Sequence, residues 1–263
     1  AGELIVEAGT ALAPHHLGAL AAAGVTDVVV YRRPRVAVIS TGSELVAPGL
    51  PLAPGQIHES NSVALAALVS ANGGAVISQA VAGDGDGEFA ARLDEAVAAG
   101  ADLVLTSGGV SAGEREPVRD LLSGPDSGAT ESWFGAVAMQ PGGPQGLSRW
   151  RAVPVISLPG NPVSVLVSFD VLVRDAVRAI GGLAPVPVER GRLTTGVASS
   201  PPGKTQYLRA RRCDGTDGRV EIIGGPSSHL IATAARADVL VEIDAAATEL
   251  APDTEVPLWP LTH

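Results

Sequence analysis

A predicted strand that stops at two glycines and is followed by a helix constrains the fold of this chain most. Asp102–Thr106 is a short apolar run with β-branched residues, which predicts a buried strand. It ends at Ser107-Gly108-Gly109, where two glycines allow positive φ angles and a close approach of ligand to backbone. Pro117–Leu122 then predicts a helix, because proline is favoured in a first turn. A glycine loop before a helix is a typical site for an anionic group, with Ser107 and Ser111 as hydroxyl donors.

The same order of strand and helix repeats on both sides of this loop. Further strands are predicted at 36–40, 75–80, 133–139 and 153–158, and further helices at 61–70, 88–99 and 163–180. This alternation predicts an α/β fold with a mostly parallel sheet and helices on both faces.

Polar and turn residues gather where these strands end. In open α/β sheets, ligands bind outside the carboxyl ends of the strands. We therefore expect five loops to meet at one edge: Thr41–Glu44, Asp84, Ser107–Glu116, Pro141–Pro144 and Pro159–Asn161.

The two ends of the chain differ from this central region of residues 34–184. Residues 1–33 predict strands at Leu4–Glu7 and Val28–Tyr31 around a helix at Pro14–Ala23, too little to close a domain. The first residue is Ala and not Met, so we expect these residues to be the remnant of a longer N-terminal region. Residues 185–263 carry short β-rich runs and turn signals, which predict a small second β domain, a barrel or a sandwich.

Composition excludes several classes of function. The net charge of −10 argues against a general nucleic-acid surface and against an acidic membrane surface. The single cysteine, Cys213, excludes an internal disulfide and a cysteine-cluster metal site. The longest uncharged run, 152–169, is broken by prolines and a glycine, so it predicts no membrane span. We expect a cytoplasmic protein.

Three motifs suggest other chemistry but lack the required context. Gly109–Gly113 fits the nucleophile elbow of serine hydrolases, yet two residues separate it from its strand and the helix starts late. Gly203-Lys204-Thr205 resembles a P-loop, but Ala198 occupies the first glycine position. Asp84–Glu88 resembles the start of a calcium loop, with Phe89 where glycine is required.

Five motifs, in their order along the chain, resemble the molybdopterin molybdenumtransferases, the MoeA proteins and the related E domain of gephyrin. They are Ser40–Leu45, Gly55–Asn61, Ser107–Ser111, Met139–Pro144 and Leu158–Ser164. The resemblance covers essentially the whole chain. It implies a molybdopterin-binding α/β domain at 34–184, a C-terminal β-barrel-like domain at 185–263, and a remnant of the N-terminal lid and dimerisation region at 1–33.

The resemblance also implies a reaction. The family takes adenylylated molybdopterin and molybdate, cleaves the adenylate, and releases molybdenum cofactor and AMP. Glu44, Asp84 and Glu116 match acidic positions of the family, as catalytic groups that hold Mg²⁺ across the pyrophosphate. Magnesium needs only one or two carboxylates besides phosphate oxygens, so an acidic site can still take an anionic substrate.

The resemblance implies a substrate-binding set as well, with Pro141 and Pro144 in a loop that borders the molybdate site in the family. The set is Thr41, Gly42, Ser107, Gly108, Gly109, Ser111, Pro141, Gly142, Pro144, Pro159, Gly160 and Asn161. As partners it implies a homodimer of the intact protein and a handover of the pterin from a molybdopterin adenylyltransferase.

The chain departs from the family pattern at three positions. Gly143 stands where a lysine is usual, which removes a cation from the molybdate side. Glu59 and Glu116 replace aspartates, which keeps the charge and lengthens the reach. Two alternatives stay open: a molybdopterin adenylyltransferase, whose glycine loop usually reads Thr-Gly-Gly-Thr-Gly, and a non-catalytic molybdopterin-binding module.

Overall fold

The computed structural model describes residues 2–83, 85, 87–111, 116–124, 128–215, 218–228 and 230–261. In the first two thirds of the chain the strands are β1 (Arg35–Thr41), β2 (Leu45–Val46), β3 (Ile57–His58), β4 (Ala75–Ala82), β5 (Leu103–Ser107), β6 (Ala129–Ala136), β7 (Met139–Gln140), β8 (Pro144–Trp150) and β9 (Val153–Leu158). The helices are α1 (Pro14–Ala22), α2 (Asn61–Ala71), α3 (Glu88–Ala98), α4 (Pro117–Ser123), α5 (Pro162–Ser168) and α6 (Arg174–Ile180), with a π-helical turn at Phe169–Val173.

The main sheet has the order β4-β1-β5-β9-β8-β6. Its first four strands are parallel, and β8 runs antiparallel to both of its neighbours. Strand β1 shows why both faces are covered: Ala37 and Ile39 pack into one apolar cluster, while Val36 and Val38 pack into another. Helix α3 contributes to the first cluster and helices α2 and α5 to the second, which confirms the predicted α/β class.

The last third of the chain forms a small barrel. Its elements are β10 (Glu189–Leu193), β11 (Thr205–Arg212), β12 (Arg219–Ile222), the short helix α7 (Ile231–Ala234), β13 (Val239–Ile243) and β14 (Glu255–Pro260). The strand order β12-β10-β14-β13-β11 closes because β11 also pairs with β12. Strand β7, which comes from the first part of the chain, adds to β11 at Thr205–Gln206.

The two parts of the chain share a core. Met139, Val163 and Val167 from the first part pack with Tyr207 and Leu240 of the barrel. The predicted domain limits at 33/34 and 184/185 stay predictions. Each side of the second limit has apolar clusters of its own, and this shared cluster joins them.

Several predicted elements were wrong. Leu4–Glu7 and Val28–Tyr31 form no strand, since no described strand pairs with them. Most of their apolar residues are exposed, Val29 fully so. The strand predicted at 133–139 lies at Ala129–Ala136, and β8 was missed because its proline and glycine suggested a loop. The long helix predicted at 163–180 is interrupted by the π-helical turn.

No helix among the described residues is long and apolar enough to cross a membrane.

Candidate functional site

The glycine loop after β5 is held by hydrogen bonds from its two neighbouring strands. The Thr41 hydroxyl, at the end of β1, donates to the carbonyl oxygen of Ser107 over 3.3 Å. The Gly108 N–H donates to the carbonyl oxygen of Leu158, at the end of β9, over 3.1 Å. The side-chain amide of Asn61 donates over 2.8 Å to the carbonyl of Gly160, in the loop after β9. Three sequence-predicted loops therefore meet at one edge of the sheet.

Only glycine fits at the centre of this meeting point. Gly108 has φ +92°, and a β-carbon built on it would lie 2.8 Å from both the carbonyl oxygen and the hydroxyl oxygen of Thr41. Gly109 has φ +66°, and its β-carbon would lie 3.0 Å from the N atom of Val118 at the start of α4. The backbone is thus packed between β1 and α4 with no space for a side chain.

A buried carboxylate lies below this loop. Glu59 is 4% exposed, and it accepts hydrogen bonds from the Ser40 hydroxyl (2.8 Å), the Ser62 N–H (2.7 Å) and the Ser62 hydroxyl (2.6 Å). The hydroxyl oxygens of Ser40 and Ser107 are 3.0 Å apart. Ser60, the residue before α2, makes no capping hydrogen bond with its side chain, and the Glu59 carboxylate accepts from the Ser62 N–H in its place.

The three predicted metal-binding carboxylates stand differently in the structure. The Glu116 side chain is buried and accepts a hydrogen bond from the Ser111 hydroxyl, whereas Glu44 is exposed and folds over the backbone of Gly42. Asp84 lies outside the described residues. Among the residues that are described, no three His, Cys, Asp or Glu side chains lie close enough to hold a metal ion. One or two carboxylates suffice for Mg²⁺ when phosphate supplies other ligands, so the donor chemistry still fits.

A second candidate site is a cavity at the Pro141 loop, on the same edge of the sheet as the glycine loop. The loop reaches this edge because β8 begins there and runs antiparallel to β9. The cavity measures about 450 Å³ and is lined by Gln140, Pro141, Gly142, Ser164, Gly225, Pro226, Ser227 and Ser228. Among the described residues that line it, the polar side chains are hydroxyls and one amide and none is charged, so the cavity suits a small polar ligand.

Family models match both parts of the chain. Residues 37–179 match the family described as the probable molybdopterin binding domain, and residues 190–261 match the MoeA C-terminal region, domain IV. The chain belongs to the MoeA family.

Similar proteins agree with this assignment. Molybdopterin molybdenumtransferase 2 from Mycobacterium tuberculosis is 45% identical over 265 residues, which are 100% of this chain and 65% of that protein. A molybdopterin molybdenumtransferase from Nostoc is 41% identical over 187 residues, 70% of this chain and 42% of the relative. This MoeA-family chain thus spans about two thirds or less of the curated relatives it matches.

A solved structure shares the fold along the whole chain. A molybdopterin biosynthesis MoeA protein from Pyrococcus horikoshii superposes with a TM-score of 0.81 at 30% identity, covering 100% of this chain and 63% of that one. Another molybdopterin biosynthesis MoeA structure from Pyrococcus horikoshii OT3, at 22% identity and a TM-score of 0.78 over 98% of this chain and 61% of that one, shows the same fold.

The barrel of this MoeA-family chain brings residues that the sequence did not point to. Ser227 and Ser228 reach the Pro141 cavity from the loop before α7. Arg209 of β11 supports that loop, because its guanidinium donates to the carbonyl oxygens of Ser227 (3.1 Å) and Gly225. Burial lowers the pKa of the Arg209 guanidinium. The signal for these residues was weak, since small residues at 224–228 predict a loop and nothing more.

The junction between the π-helical turn and the barrel holds a buried aspartate–arginine pair. Asp170 and Arg174 are 3.4 Å apart, and their side chains are 1% and 0% exposed. The Arg174 guanidinium also donates to the carbonyl oxygen of Pro260 in β14 over 2.6 Å. Burial raises the pKa of the Asp170 carboxyl to about 7, and the charge of Arg174 only partly offsets this effect.

Proposed function

We propose that this chain is the molybdopterin- and molybdate-binding part of a molybdopterin molybdenumtransferase. The complete reaction inserts molybdenum from molybdate into adenylylated molybdopterin and releases AMP. The observation that carries the proposal is the segment Leu158–Ser164, which joins two candidate sites. Its beginning contacts the glycine loop at Gly108, and Ser164 at its end lines the Pro141 cavity.

The glycine loop is the proposed site of the pterin phosphate. Backbone N–H groups at tight glycine turns bind phosphate well, because they donate hydrogen bonds and leave space for the ligand. The proposed substrate-binding residues around it are Thr41, Gly42, Ser107–Gly109, Ser111 and Pro159–Asn161. Since the Ser111 hydroxyl donates to Glu116, we propose that Ser111 must turn away from Glu116 to bind a phosphate oxygen.

The Pro141 cavity is the proposed site of molybdate, with Pro141, Gly142 and Pro144 as its loop. Hydroxyls of Ser164, Ser227 and Ser228 can donate hydrogen bonds to a tetrahedral oxyanion. Because the described lining of the cavity carries no cation, we propose that binding of molybdate here depends on these donors and on backbone N–H groups.

Mg²⁺ is the proposed metal, held by Glu44, Glu116 and Asp84 together with phosphate oxygens of the substrate. The ion would neutralise the charge that develops on the leaving phosphate. We further propose that the intact protein is a cytoplasmic homodimer that receives its pterin from a molybdopterin adenylyltransferase.

The test of the function is molybdate-dependent release of AMP from adenylylated molybdopterin. It is run on this chain and on the same chain extended at its N-terminus to the length of the relatives. Release that rises with molybdate supports the transferase. Pterin binding without release from either protein favours a non-catalytic binding module, and transfer of AMP to molybdopterin favours the adenylyltransferase.

The metal is tested with Asp84→Asn in the extended protein. Loss of one anionic ligand should raise the Mg²⁺ concentration for half-maximal AMP release by about tenfold, since magnesium sites use few carboxylates. Asparagine is nearly isosteric with aspartate, so the melting temperature should stay within about 2 °C, equivalent to well under 1 kcal/mol. If the variant shows the same Mg²⁺ dependence as the wild type, or a large melting shift with normal AMP release, Asp84 has a structural role and does not bind the metal.

A further inference from the structure

The protons of the buried cluster below the glycine loop can be assigned from its hydrogen bonds. A carboxylate only accepts hydrogen bonds, so the single hydroxyl proton of Ser40 points to Glu59. The contact of 3.0 Å between the Ser40 and Ser107 oxygens then requires Ser107 to be the donor. The proton order therefore runs from Ser107 to Ser40 to Glu59.

This order fixes how the glycine loop presents itself. Ser107 is 1% exposed, and its hydroxyl gives its proton inward to Ser40, so it has no proton left for a ligand. Ser107 therefore belongs to the proposed substrate-binding set through the loop that it positions, and not as the hydroxyl donor that the sequence predicted. The Gly108 N–H is bonded to Leu158. Among the described residues, the N–H groups of Gly109 and Val110 donate to no protein acceptor. These two N–H groups are the donors that the loop offers to an anion.

We propose that Glu59 is a positioning residue for the 107–110 loop and acts on it through Ser40. When Ser40 donates its proton to Glu59, the Ser40 oxygen accepts the hydrogen bond from Ser107 and holds the end of β5 against β1. In this position of the loop, the Gly109 and Val110 N–H groups are free for an anion. The effect on ligand binding rests on the proposed function, whereas the effect on the loop does not.

Glu59 also has a simpler structural role, and the two roles use different neighbours. On one side it binds Ser62 in the first turn of α2, where it acts as a cap. On the other side it binds Ser40, which leads to the glycine loop. Ser40→Ala and Ser62→Ala are therefore a matched pair, because each removes one buried hydroxyl that donates to the same carboxylate.

The first measurement is hydrogen exchange by NMR on the unliganded chain. The Gly108 N–H is the reporter, since its bond to Leu158 depends on the loop position. Ser40→Ala should raise its exchange rate about tenfold, the change expected when one buried hydrogen bond is lost. Ser62→Ala should leave this rate within about twofold while it raises exchange in the first turn of α2. The Val104 N–H, in β5 at the end away from the loop, controls for global unfolding.

The second measurement is the affinity for molybdopterin. It should fall about tenfold in Ser40→Ala and stay within about twofold in Ser62→Ala. Glu59→Gln should bind nearly as well as the wild type, because its amide oxygen can replace the acceptor that serves Ser40. If Ser40→Ala does not fold, Ser40→Cys keeps the size of the side chain and weakens the hydrogen bond.

The outcomes separate the positioning role from the proposed function. Equal effects of the two serine variants on Gly108 exchange would overturn the proposal, as would a mobile loop with unchanged molybdopterin affinity. If the wild-type chain binds no molybdopterin while the exchange pattern holds, the proposed function fails and the positioning of the loop by Glu59 stands.

Discussion

The glycine loop and the Pro141 cavity lie on the same edge of the sheet but are built in different ways. The glycine loop is packed from below and from both sides, by Thr41, Leu158 and the Glu59 cluster, and it has no space for a β-carbon. The cavity is open and shared between two parts of the chain, with its serines contributed by α5 and by the barrel. Substitutions in the glycine loop should therefore affect ligand binding through the shape of the loop. Substitutions near the cavity should act through its charge, or through the contact between the two parts of the chain.

Gly108→Val should have the largest effect on molybdopterin binding, since it changes the backbone shape of the glycine loop. A branched side chain there meets the backbone of Thr41 and must also adopt a positive φ. We expect molybdopterin affinity to fall by at least about 100-fold, as measured by calorimetry, because the loop must leave its position, while the sheet stays folded.

Gly49→Val is the matched control for this change. Gly49 has φ +89°, close to the +92° of Gly108, but no described atom lies within 4 Å of its β-carbon position. Gly49→Val should be destabilised by about 1–2 kcal/mol through backbone strain, as Gly108→Val is, but it should bind molybdopterin normally. Normal affinity in a folded Gly108→Val would instead show that the glycine loop is only a turn.

Asp170→Asn tests the buried junction between the π-helical turn and the barrel. The folded-state pKa of about 7 lies above the ordinary value of 3.8, so the neutral carboxyl is favoured in the folded protein. This contribution to stability is complete below about pH 4 and is lost as the pH rises through 7. Asparagine is neutral at every pH, so the variant should lack this loss. From pH 4 to pH 8 the wild type should lose a few kcal/mol more of its free energy of unfolding than the variant, because each unit of pKa shift corresponds to about 1.4 kcal/mol.

Calorimetric melts from pH 4 to pH 8 measure this difference. Asp175→Asn is the control, because Asp175 lies 3.9 Å from Arg174 but its side chain is 49% exposed. Parallel pH profiles for wild type and Asp170→Asn would mean that Arg174 keeps Asp170 charged in the folded protein.

Gly143→Lys should have the smallest effect, a change in molybdate affinity, and it tests whether charge matters for binding at the cavity. A β-carbon at Gly143 would make only ordinary contacts, 3.7 Å to the Val137 oxygen and 3.8 Å to the Met139 oxygen, so a side chain fits. The new cation should tighten molybdate binding about threefold, the effect of an exposed charge. The gain should fade at high salt. Gly143→Gln has a similar reach without charge, and an equal gain there would exclude an electrostatic cause.

The sequence was a good guide to the glycine loop and a poor one to the cavity. Strand β5, the two glycines and Pro117 are neighbours in the chain, so local rules for strands, turns and helix starts were enough to place them. Ser164 and Ser228 meet at the cavity across more than sixty residues, and no local pattern encodes that contact. The Glu59 cluster was missed for a related reason: a glutamate beside Ser and Asn predicts a helix start, and its burial depends on β1 and β5.

Strand β7 has a consequence for how the chain can be divided and in what order it is completed. The barrel lies at 189–260 in the chain, yet the edge of β11 at Thr205–Gln206 is covered by Met139–Gln140. A barrel expressed alone from residue 185 would expose that edge and the apolar side chains around Tyr207, which are the features that promote association between copies. On the ribosome the covering strand is made first, so the barrel emerges into a molecule that already carries its missing strand.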